Sequence, residues 1–251
     1  MLALKLFLVP GFLLLVSLAA RRWGPSMGGW LAGLPIVTGP ILGFIAIEQG
    51  ADFAARAAGG SLMAVVSTVA VTAAYAHAAR VAHWPVAVVA ALATWMIVAW
   101  GLSLLPESLT LSAMLAGASW LLAPRLFPPA AESGPAPASD RRELALRMVA
   151  GALLSLVVTQ AAASAGPRWS GLLAVFPMMS IVLAGFSHRT QGPAYTATLL
   201  RGLARGLLSF AAFCWVAAVL LPSAGTAAGF AVAVLAALLA QLATLRRRPR
   251  S

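Results

Sequence analysis

Long uncharged runs constrain this chain more than any other feature. Twenty-five residues without a charge separate Arg22 from Glu48, twenty separate Arg147 from Arg168, and forty separate Arg205 from Arg246. A hydrocarbon layer about 30 Å thick is crossed by roughly 20 apolar residues in a helix. Inside it every backbone N–H and C=O must find a partner within the protein, so helices and closed barrels are the only spanning forms. Read as helices, the runs predict spans near 3–20, 27–47, 57–79, 84–104, 108–124, 145–165, 169–187, 196–221 and 226–245. The expectation is an all-α polytopic membrane protein with nine crossings.

Charge and composition narrow the function classes. Six acids stand against seventeen basic residues, and the net charge of +11 gathers at the ends of apolar runs. That pattern suits anionic lipid headgroups and argues against a nucleic-acid surface. Cys214 is the one cysteine, so no intrachain disulfide is expected. His77, His83 and His188 lack Cys or carboxylate partners at ligand spacing, so no metal site is expected. Residues 1–20 resemble a signal peptide, but Arg21-Arg22 follow directly, and the segment is read as a first helix.

The chain divides into related halves. The Pro- and Gly-rich stretch 125–142 reads as a cytoplasmic flexible linker between residues 1–124 and 143–251. A constant shift of 142 sets Gly24-Pro25 on Gly166-Pro167, Gly29 on Gly171, Pro35 on Pro177, Gly43-Phe44 on Gly185-Phe186 and Gln49-Gly50 on Gln191-Gly192. Lys5 and Arg147 coincide, as do Ser17 with Thr159 and Ser67 with Ser209. Such repetition at a fixed offset is the signature of duplication. The fifth span, seventeen uncharged residues between Glu107 and Arg125, has no partner. As a crossing it inverts the second half, giving an arrangement of four helices, one inverter and four helices. With the N-terminus outside and the C-terminus cytoplasmic, the positive-inside rule places fourteen basic residues inside and three outside. Trp23, Trp84, Trp120 and Trp169 fall near the expected interfaces.

Prolines break the second helix of each half. Pro35-x-x-Thr38 and Pro177-x-x-Ser180 share one depth near the bilayer midplane. A helical proline lacks an N–H and crowds the carbonyl four residues back, here that of Leu31 or Leu173. Freed carbonyls, neighbouring hydroxyls and half-helix dipoles suit a polar solute or a coupling cation. The expected substrate-binding set is Gly33, Pro35, Thr38, Gly39, Pro177, Met178 and Ser180. Expected gate residues are Glu48, Gln49, Asp52 and Arg56 at one face, with Arg189, Gln191, Arg201 and Arg205 at the other. Helical spacing allows a local Asp52–Arg56 ion pair, and Arg201 with Arg205 can gather anions or snorkel to headgroups.

In these two Pro-x-x-hydroxyl breaks the chain resembles inverted-repeat secondary transporters. The resemblance implies alternating access around a midplane site in a bacterial inner membrane. The midplane lacks Asp, Glu, Lys and Arg, which points to a small anionic or neutral cargo. Membrane lipid is the expected partner, with anionic lipid at the basic loops and C-terminus, no nucleic acid, no cofactor, and a homo-oligomer compatible with the sequence. The competing readings are a lipid-carrier flippase and a non-catalytic scaffold subunit. H-E-x-x-H and G-x-S-x-G motifs are absent, so no enzyme is expected.

Overall fold

The structure, a computed structural model, describes residues 2–129, 141–164, 173 and 176–246. All regular structure among them is helical. The elements are α1 (Leu2–Trp23), α2 (Pro25–Ala32), α3 (Thr38–Gln49), α4 (Ala51–Ser61), α5 (Met63–Ala78), α6 (Trp84–Leu102) and α7 (Leu109–Leu126). After the linker come α8 (Arg141–Ser164), α9 (Met178–Gln191) and α10 (Pro193–Arg246). Five stretches are long and apolar enough to cross a membrane: Ala51–Ala78, Trp84–Leu102, Leu109–Leu126, Arg141–Ala161 and Pro193–Leu245.

Several expected boundaries move, each for a local reason. The span expected at 27–47 is two short helices, because α2 stops at Ala32 and the chain turns through residues 33–37. The linker is shorter than predicted: α7 runs through Pro124 to Leu126, and Arg141 and Arg142 already open α8. Its centre, 130–140, lies outside the described residues, as do residues 169–172 and 174–175 at the start of the expected 169–187 span. The spans expected at 196–221 and 226–245 are the two helical stretches of α10, which meet at a non-helical corner at Gly225.

Glycine makes four of the corners. Gly24, Gly50, Gly192 and Gly225 have φ between 78° and 88° with ψ between 164° and 174°. That backbone region is almost exclusive to glycine, because a Cβ would clash there. Pro25 and Pro193 follow directly, at the helix start where a missing N–H is harmless.

Packing of the helices relies on small residues, as it must where lipid is as apolar as the side chains. α2 crosses α10 through two matched glycine pairs, Gly29-x-x-x-Gly33 and Gly202-x-x-x-Gly206. A Cβ at Gly33 would overlap the Gly206 backbone, and one at Gly202 would overlap the carbonyl of Ser26. α1 and α8 run antiparallel: Ser17 meets Arg147, while Leu13 and Val9 close over Gly151. α7 passes through the depth of the bundle. Leu109, at its start, lies 3.4 Å from the Cβ position of Gly59, and the Leu126 carbonyl, at its end, is 3.0 Å from His77 Nε2. Leu121, Leu122, Leu153, Val157, Leu235 and Leu239 are among the large apolar side chains left on the surface, as a lipid-facing exterior requires.

Candidate functional site

The second proline break is enclosed, and several buried polar atoms at its level lack partners among the described residues. Pro177 precedes α9, Ser180 is buried in its first turn, and Phe176 stands edge-on to Trp95 of α6 at 4.9 Å. The Trp95 indole N–H is buried without a hydrogen-bond partner among the described residues, as are the hydroxyls of Ser67 and Ser155. Helix register brings these groups to one level. α5 and α9 end side by side, with Tyr75 Oη 3.3 Å from His188 Nδ1, so eight residues back along each helix Ser67 is level with Ser180. α8 and α9 are antiparallel, pairing Glu143 with Thr190 and Arg147 with Phe186. Eight residues further along α8, Ser155 is level with Met178.

Buried polar groups in native proteins nearly always have a protein or water partner, and each exception calls for one. An indole N–H only donates, whereas a serine hydroxyl donates and accepts. Ser67 on α5, Trp95 on α6 and Ser155 on α8 therefore each offer a hydrogen bond to an uncharged or anionic polar group. None of the three carries a charge.

One helical length away, at the end where Arg21, Arg22, Arg141, Arg142 and Arg189 gather, a charged cluster is sealed into the bundle. Arg147 is 5% exposed and donates through Nη2 to Glu143 Oε1 at 2.6 Å and through Nη1 to Ser17 Oγ at 2.8 Å. Thr190 donates to the same Glu143 oxygen at 3.0 Å, and the guanidinium lies 5.7 Å from the Phe186 ring centre. Tyr195 is buried beside them. This cluster ties α1, α8 and α9 together at the basic end.

The expected site residues fall into different surroundings. Gly33 serves the α2–α10 crossing, where no ligand fits between it and Gly206. Pro35 lies in the turn and its carbonyl accepts from Gly39 N–H at 2.8 Å. Thr38 opens α3 and is half-buried, and the Gly39 Cβ position is 3.5 Å from Phe213. The carbonyls expected to be freed are taken up locally: Leu31 accepts from Leu34 N–H and Leu173 from Phe176 N–H, both at 3.1 Å. α9 packs on α5, α6, α8 and α10, whereas α3 packs on α4 and only lightly on α10. Pro177, Met178 and Ser180 thus sit inside the bundle, and Thr38 stands nearer its edge.

Among the gate residues, Glu48, Gln49, Asp52 and Arg56 are exposed. The Asp52–Arg56 ion pair is not formed; Arg56 lies over the Phe53 ring instead, 5.6 Å from its centre. Arg189 is exposed, Gln191 and Arg201 are half-buried, and Arg205 donates to Ser26 Oγ at 2.5 Å. Arg205 also bridges helices through its carbonyl, which accepts from Trp120 Nε1 at 3.2 Å. Beside it, Trp30 Nε1 donates to Thr244 Oγ1 and Gln241 Nε2 donates to the Trp30 carbonyl, each at 2.8 Å.

Sequence reasoning missed Glu143, Arg147, Trp95 and Ser155. Glu143 and Arg147 do carry a signal, being opposite charges four apart at a helix start. Trp95 and Ser155 carry none, because only the packing isolates their polar atoms. No protein-family model matches the sequence, and neither do curated proteins or solved structures.

Proposed function

We propose that this chain is a secondary transporter of a small neutral or anionic solute, working by alternating access between two inverted halves. The observation that carries the reading is a set of buried hydrogen-bonding groups without partners among the described residues, Ser67, Trp95 and Ser155, on three helices at the level of the start of α9. An interrupted helix lined by polar groups at mid-depth is how transporters of this architecture hold their cargo.

Several observations support the two halves. α3 and α9 end at Gln49 and Gln191, α4 and α10 begin at Ala51 and Pro193, and α6 begins at Trp84 while the run after Gly225 begins at 226, all 142 apart. Val9 and Gly151 are themselves 142 apart and lie in contact between antiparallel helices. Shift-related residues touch only at a symmetry axis, and antiparallel pairing there favours inversion over simple repetition. The course of α7, beside Gly59 at its start and His77 at its end, fits a full crossing by the fifth segment. On this reading the basic end is cytoplasmic, the membrane is the bacterial inner membrane, and the Glu143–Arg147 cluster closes the cytoplasmic path.

The test is osmotic swelling of liposomes containing the purified protein, followed by light scattering. The probes are glycerol, urea and the potassium salts of chloride, acetate and phosphate, the salts with valinomycin present. Protein-dependent swelling in at least one probe is expected, reduced at least fivefold by Ser67→Ala with Ser155→Ala. Swelling that the double substitution leaves unchanged removes the site.

A lipid-translocating reading has one observation in its favour. A groove of about 320 Å³, almost wholly apolar, lies between α1 and the first break, lined by Phe12, Leu15, Leu18, Leu31 and Ile36 with Arg22 at its rim. Scrambling of fluorescent phospholipid in the same liposomes, without solute swelling, would select it.

A further inference from the structure

The cluster at the basic end has a counterpart in sequence at the opposite end, and the two are in different states. The 142-residue shift relates Ser17 to Thr159, Phe44 to Phe186, Glu48 to Thr190 and Phe53 to Tyr195. It also relates Lys5 to Arg147, although the Lys5 side chain lies outside the described residues. Hydroxyl matches hydroxyl, aromatic matches aromatic and base matches base. Only the acid changes place: Glu143 serves the first set, while in the second Glu48 occupies the position of Thr190.

The first set is closed. Tyr195 is 6% exposed, Phe186 lies under Arg147, and Thr190 and Ser17 both bond the ion pair. The second set is open: Phe44 and Phe53 are 44% and 43% exposed, and Glu48 is exposed. Thr159 Oγ1 is buried without a partner among the described residues, where its counterpart Ser17 accepts from Arg147. The glycines agree. The Cβ position of Gly185 is 3.7 Å from Val88, whereas that of Gly43 has nothing within 4 Å among the described residues. α9 is clasped by its neighbours, and among the described elements α3 packs mainly on α4.

We propose that Phe44, Glu48, Phe53 and Thr159 form a second gate, open in this structure, which closes when the Glu143–Arg147 gate opens. The inference rests on the transporter reading and deepens it by naming both gates. Closure brings α3 onto α1 and the end of α10, repeating the packing α9 now makes on α8 and α6. The shift sets Glu48 at the place that Thr190 holds in the first gate, and the two gates compete through the rocking of the halves about the Val9–Gly151 contact. Two packings of one seam, each satisfying the groups that the other leaves open, make the bistable element that such coupling requires.

The experiment follows thiol accessibility at both ends. Cys214→Ala removes the native thiol. In that background Ser187→Cys, at a side chain 1% exposed, reports the basic end, and Phe53→Cys reports the opposite end. Labelling rates with a membrane-impermeant maleimide are measured on the full chain in detergent, with and without Glu143→Gln. Loss of the ion pair is expected to speed labelling at Ser187→Cys at least threefold and to slow it at Phe53→Cys at least threefold. Thr190→Val, which removes one bond to Glu143 and leaves the ion pair, is expected to move both rates in the same senses by a smaller factor; it carries the test if Glu143→Gln fails to fold. Faster labelling at both ends, a change at one end only, or no change at either overturns coupled gates. Liposome swelling by the parent protein, run alongside, tests transport separately, so either idea can fail alone.

Discussion

Replacing Glu143 by Gln removes one charge from a pair whose side chains are 12% and 6% exposed. Breaking a buried ion pair by deleting one partner costs about 3–5 kcal/mol, chiefly because the remaining charge is left uncompensated. Here the amide oxygen can still accept from Arg147, and Ser17 Oγ remains 2.8 Å from Nη1, so the loss belongs near the low end. A cost of about 3 kcal/mol lowers the folded-to-unfolded ratio by roughly a hundredfold. The decisive control is the pair Glu143→Leu with Arg147→Met, which removes both charges at similar volume. Ser17 keeps its 2.7 Å bond to the Leu13 carbonyl, and Thr190 keeps its 2.9 Å bond to the Phe186 carbonyl. No hydroxyl is orphaned, and such replacements are often neutral or stabilising. Reversible unfolding in mixed detergent–SDS micelles, read by tryptophan fluorescence, measures both. A single substitution within about 0.5 kcal/mol of the parent, or a double variant less stable than the single, refutes a buried electrostatic latch.

Three further outcomes follow from the packing. Gly206→Leu, set against the carbonyl of Trp30, is expected to cost at least about 1–3 kcal/mol by overpacking, whereas Gly43→Ala, with open space at its Cβ, stays within about 0.5 kcal/mol; the same unfolding assay separates them. Gly192→Ala, at φ 85°, should cost about 1–3 kcal/mol, visible as a lower midpoint of thermal aggregation. Ser67→Ala and Ser155→Ala should leave stability unchanged or raise it slightly, since each removes a buried hydroxyl without a partner among the described residues, while lowering solute flux. A loss of stability equal to that of a core truncation would mean that the hydroxyls serve structure.

Hydropathy made the apolar helices legible because a bilayer imposes one length and one polarity on every span. Pro35 marked the interruption between α2 and α3, and Pro177 the residue before α9, through chemistry confined to a few neighbouring residues. The site was harder to read because its definition is non-local. Ser17 and Arg147 are 130 residues apart, and nothing in either neighbourhood announces their bond. Trp95 looked like one apolar residue among many until Phe176 covered its ring and left its N–H without a partner among the described residues. Likewise the carbonyls of Leu31 and Leu173 were expected to be free because a proline disrupts the helix, but tighter three-residue turns reclaim them.

The glycine corners also limit how this chain tolerates changes in length. Each joins helix to helix through a single residue, so an inserted residue at Gly50 would advance α4 by about 1.5 Å and rotate it by roughly 100°. Ala54, Ala55 and Ala58, now buried, would swing away from the core. Insertions and epitope tags therefore belong in the exposed segment 103–108 between α6 and α7, where no helix phase is at stake. At the corners the register of the fold is as sensitive to a one-residue insertion as a reading frame is to an added base.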